Sequence, residues 1–195
     1  MTLRSGVRVA PSMLDYPLQW ALTCRAALAM LFGLSEGAML LFAFWLPRIT
    51  AALMATLFTG FALLDGLVAL VAAAWGWSRG GRWRLLACKG LAGVAAGILV
   101  VFRAPGQRPG PLAIFAWWAI VTGLLQAVEA VSLGARRGRP LLVATAVLSV
   151  AFGSLILSRP PQELMTLALS VAVYGLLLGV LRLTVAFRLQ SPDLV

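Results

Sequence analysis

ITAALMATLFTGFALLDGLVALVAAAWGW, residues 49–77, is a run of 29 residues that carries a single charge, Asp65. A helix crosses roughly 30 Å of hydrocarbon with about 20 mostly apolar residues, so this run is long enough to span a bilayer. Its apolar residues are continuous rather than alternating, which argues against the short strands of a membrane barrel. Backbone groups in lipid need partners, and a helix supplies them all within one segment. The run therefore reads as a transmembrane helix.

Five further runs of the same kind flank it. They cover residues 20–46, 83–102, 111–133, 140–157 and 164–187, separated by short Arg-, Gly- and Pro-rich connections. The expectation is an all-α integral membrane protein, a six-helix transmembrane bundle over residues 20–189 between short tails at 1–19 and 190–195. Composition agrees: 62% of the chain is hydrophobic and 11% charged, whereas a soluble domain is nearer half apolar and a quarter charged. The first residues lack the apolar core of a secretory signal and read as a cytoplasmic tail.

A formal charge of +10 invites a nucleic-acid reading. The basic residues do not form a stripe with interleaved aromatics, as such binding requires. They sit where the apolar runs end, as topology signals do. Twelve of the sixteen fall on the side of the N-terminal tail and four, Arg48, Arg103, Arg108 and Arg159, on the other. Both termini are thus expected in the cytoplasm, with anionic lipid headgroups as partners of the basic face. The Arg-, Ala- and Gly-rich composition points to a GC-rich bacterial genome. Trp20, Trp45, Trp75, Trp77 and Trp83 lie near run boundaries and read as interfacial anchors.

Laying the helix pairs over one another brings out a threefold repeat. The second helix of each pair holds Gly-Leu with an Arg thirteen residues after the Gly: Gly66 with Arg79, Gly123 with Arg136, Gly175 with Arg188. Each first helix has a Gly followed by a Pro at the turn: Gly37 with Pro47, Gly97 with Pro105, Gly153 with Pro160. Every hairpin begins and ends on one side, so the fold is expected to contain three parallel helical-hairpin repeats about an axis along the membrane normal.

Residues 97–105 (GILVVFRAP), 122–130 (TGLLQAVEA) and 174–188 (YGLLLGVLRLTVAFR) carry a resemblance. With the three hairpins, they resemble the HdeD-like family of small bacterial membrane proteins. The resemblance implies a link to acid resistance or envelope stress. It brings no catalytic residues and no cofactor.

Ionisable groups at membrane depth are costly and face the bundle interior. Glu36 and Asp65 are both expected near the bilayer centre, each held protonated or paired with a base. They form either a proton- or cation-sensitive pair, as a small transporter or channel would use, or hydrogen bonds that fix packing. The residue before each aligned Gly is polar, Asp65, Thr122 or Tyr174, and the three are expected to gather in one layer near the axis. Glu129 and Arg182 have matching depths and are expected to form an ion pair between helices four and six, unless Arg182 snorkels to the headgroups. Gly33-xxx-Gly37, Gly93-xxx-Gly97 and Gly175-xxx-Gly179 permit close helix approach, within the monomer or in a homo-oligomer.

Enzyme motifs are missing. The chain has no His, and Cys24 and Cys88 are its only cysteines, so no metal site and no Ser-His dyad is expected. No phosphate-cradling Gly-rich loop or nucleophile elbow occurs. Catalysis is not expected.

Overall fold

The structure, a computed structural model, describes residues 16–43, 45–76, 83–102, 110–132, 139–158 and 164–190. Among them are six helices and no strand: α1 Tyr16–Ala43, α2 Pro47–Gly76, α3 Trp83–Val101, α4 Pro111–Ser132, α5 Arg139–Ser158 and α6 Leu164–Gln190. Proline marks the start of four of them, as Pro17, Pro47, Pro111 and Pro140. A proline in the first turn forfeits an N–H that has no intrahelical partner there, and its fixed φ suits the helix. Helix α1 begins before residue 20, so part of the expected N-terminal tail is helical; the tails at 1–15 and 191–195 lie outside the described residues.

Five helices, α2 to α6, are long and apolar enough to cross a membrane. Helix α1, with Arg25 and Glu36 inside it, packs most extensively against α6 and next against α2. Large apolar side chains such as Leu41, Leu91, Leu155 and Val131 face outward, as hydrocarbon-facing positions do. Helical hydroxyls turn back onto their own backbone: Thr50 donates to the Leu46 carbonyl, Thr59 to Ala55 and Thr184 to Val180. Such bonds satisfy a hydroxyl where no water competes. Trp20, Trp45 and Trp75 are exposed, and the Trp20 and Trp75 rings lie 5.7 Å apart; Trp77 lies outside the described residues.

The most intimate helix pairs are α1 with α6, α2 with α3, and α4 with α5. Each joins the second helix of one repeat to the first helix of the next, and the last closes onto the first. The aligned glycines make these approaches possible. A Cβ at Gly66 would stand 2.8 Å from the Gly90 carbonyl oxygen, at Gly123 3.0 Å from that of Ala146, and at Gly175 2.8 Å from the Gly33 Cα. All three interfaces lie within one chain, so the small-residue spacings serve the monomer. The six helices thus form a closed ring in which the same close pairing recurs three times.

Candidate functional site

Side chains spaced three and four apart share a helix face. Helix α1 turns Arg25, Ala29, Phe32 and Glu36 inward, and α6 turns Val171, Tyr174, Leu178 and Arg182 inward; all are buried. Helix α2 adds Phe58, Phe61 and Asp65, and α4 adds Phe115, Trp118, Thr122 and Gln126, followed by the half-buried Glu129. The interior so lined has three levels.

At the end where α1, α3 and α5 begin lies a cluster of charges. Arg25 grips Asp65 in a two-pronged pair, Nε to Oδ1 and Nη2 to Oδ2, both 2.8 Å. Arg182 Nη1 donates to the same Oδ1 at 3.1 Å. A fork of guanidinium donors matches a carboxylate in geometry and charge. Lys89 pairs with Glu129 beside this triad, close enough to feel Asp65 and both arginines. Three cations thus share two carboxylates in a region from which water is largely excluded.

Above the charges sits an aromatic layer. Phe32 stacks on Phe61 at 4.5 Å between centroids, and Phe152 on Tyr174 at 4.3 Å. Phe115 stands edge-on to Phe58, Phe152 and Tyr174, and Trp118 edge-on to Phe58 and Phe61. Helices α1, α2, α4, α5 and α6 all contribute rings, which closes the axis at this level.

Glu36 occupies the third level, toward the end where α2, α4 and α6 begin. It is 1% exposed, and its Oε2 has no hydrogen-bond partner. It borders a cavity of about 210 Å³ whose other walls include Met54 and Phe58 from α2, Leu112 and Phe115 from α4, and Val171 from α6. Trp118 Nε1 and Gln126 Oε1 are the other buried side-chain atoms without partners among the described residues.

These placements revise several expectations. Glu36 and Asp65 do not form a pair. Asp65 is spent on Arg25, and Glu36 lies eleven residues further along α1, roughly 16 Å by helical rise. Asp65, Thr122 and Tyr174 are all buried in the interior, but separate contacts satisfy them. Thr122 donates to the Trp118 carbonyl of its own helix and Tyr174 to the Ser149 hydroxyl at 3.0 Å. The expected ion pair of Glu129 with Arg182 gives way to two others: Lys89 pairs with Glu129, and Arg182 donates to Asp65, where a second guanidinium meets an oxygen already held. Sequence reasoning missed Arg25 and Lys89 as site residues because both counted as topology charges. The available signal was their depth, more than a turn inside their helices.

The helices, their lipid-facing apolar surface and the internal repeat define a multi-pass helical membrane protein. A family described as a short repeat of unknown function (DUF308) matches residues 37–102, 112–158 and 144–193. The chain belongs to this family. Two of the matched segments coincide with the close pairs α2·α3 and α4·α5, a cut through the same cyclic repeat at a different point from the hairpins. Comparison with curated proteins and with solved structures gives no match.

Proposed function

We propose that the chain is a non-enzymatic bacterial inner-membrane protein of HdeD type that supports tolerance of acid or envelope stress, with Glu36 as its working group. The repeat family and the resembling segments at 97–105, 122–130 and 174–188 support the HdeD type. One observation carries the role of Glu36: among the described residues it is the buried carboxyl whose surroundings leave an oxygen unpartnered, while Asp65 and Glu129 are paired with bases. A carboxyl without a partner in an apolar site gains most from a proton or another cation.

The basic face is the cytoplasmic one in this reading, in contact with anionic headgroups. Arg25, Lys89 and Arg182 are consumed in ion pairs, yet discounting them still leaves nine basic residues against four. Glu36 then lies in the outer half of the bundle, the side that meets an external acid load.

Passage of protons or a small solute is a second reading. Trp118 Nε1 and Gln126 Oε1 favour it, as unpartnered polar atoms on the interior face of α4 at deeper levels. The aromatic layer stands against it, because those rings would have to part. Survival of acid shock in cells lacking the protein tests the first reading: plasmid-borne wild type restores survival, and equal survival with and without it overturns the acid link. Proton flux in liposomes separates the second. Flux that disappears in Glu36→Gln supports passage, and no flux above that of empty vesicles rejects it.

A further inference from the structure

We infer that the Glu36 cavity binds a small organic monocation, an ammonium group carrying an apolar body. The inference names a ligand for the working group proposed above, but binding by the purified protein stands or falls apart from acid tolerance.

Four observations carry it. Glu36 lines the cavity with a carboxyl group that no base pairs and whose Oε2 is buried and unpartnered, so an ammonium group entering there supplies the counter-charge that lets the carboxylate ionise. Metal ions need more: no group of three or more metal-ligating side chains exists among the described residues, and a single carboxylate in an apolar wall cannot replace a hydration shell. The remaining walls are apolar, with Met54, Leu112, Val171 and the rings of Phe58 and Phe115. Aromatic rings attract cations through their quadrupoles and at the same time welcome a hydrocarbon body. Finally, about 210 Å³ holds roughly ten to twelve non-hydrogen atoms at the packing density of protein interiors. An inorganic cation would leave most of that space empty, and a lipid tail would bring no charge for Glu36.

The ring architecture explains why the site occurs once rather than three times. The positions aligned with Glu36 are Ala96 and Phe152. Phe152 fills its place with a ring stacked on Tyr174, and Ala96 is packed in the apolar core. Only the first repeat places an acid there.

Benzyltrimethylammonium is a probe of the right size, and neopentylbenzene is its neutral isostere. Calorimetric titration of each into the full chain in phosphatidylcholine nanodiscs, with empty nanodiscs subtracted, tests the site. The expected result is saturable binding of the cation that weakens by about tenfold or more in Glu36→Gln, a loss of one charge pairing. Neopentylbenzene should bind more weakly to wild type and equally to both proteins. Absence of cation binding, equal affinity in Glu36→Gln, or equal affinity for the neutral isostere would overturn the inference. Should Glu36→Gln fail to fold, Ala55→Leu gives the second test, since its added carbons take up room that a probe matched to the whole cavity needs and leave Glu36 intact. Binding must be lost there, and retention of wild-type affinity overturns the proposal.

Discussion

Asp65 accepts three hydrogen bonds from two arginines in a site where its own exposure is 2%. Breaking a buried pair by removing one partner leaves a charge without compensation and costs about 3–5 kcal/mol, whereas replacing all members by apolar residues is often neutral or stabilising. Asp65→Leu should therefore lower stability by about that amount, because Arg25 and Arg182 both remain. The triple variant Arg25→Met, Asp65→Leu, Arg182→Met should recover most of the loss in thermal unfolding in detergent. A triple variant no more stable than Asp65→Leu would show that the triad does more than balance its own charges. The sequence made the burial of Asp65 readable, since an acid within 29 otherwise uncharged residues must lie in the membrane. Its partners were not readable, because they come from positions 40 and 117 residues away. Local spacing carries no information on such contacts.

Helices are the scale at which the sequence was most transparent. Runs of the required length sit between Arg-Gly-Pro connections, and each became a helix. The prolines were open to misreading: Pro47 ends the first apolar run but begins α2. Glycine positions divide into two kinds, and substitution distinguishes them. A Cβ at Gly33 would lie 2.5 Å from the Leu176 backbone nitrogen, so Gly33→Ala must push α1 from α6 and should cost about 1–3 kcal/mol as overpacking does. Gly60 has nothing within 4 Å, so Gly60→Ala should stabilise by about 0.4–1 kcal/mol through backbone entropy. Unfolding in detergent measures both. Shifts of the same sign would contradict the assignment of Gly33 to a helix interface.

At the scale of the whole molecule, the repeat was visible in the sequence but its closure was not. Gly66, Gly123 and Gly175 align in the sequence, and each proves to seat the next repeat's first helix. That α6 packs on α1 follows only from the ring, since these helices are furthest apart in the chain. The proposed topology predicts that green fluorescent protein fused to the C-terminus fluoresces and that alkaline phosphatase fused there is inactive. The reverse pattern would place the ion cluster in the outer half and remove Glu36 from the face that meets acid. In the proposed reading the two kinds of buried ionisable group differ: those of Arg25, Asp65, Lys89, Glu129 and Arg182 neutralise one another, and Glu36 is left to respond. Cytoplasmic pH during acid shock tests this division, in cells whose only copy is Glu36→Gln or the Arg25→Met, Asp65→Leu, Arg182→Met triple variant, each expressed at the wild-type level. The account predicts that the triple variant holds pH as wild type does and that Glu36→Gln does not; a failing triple variant beside a fully active Glu36→Gln would contradict it.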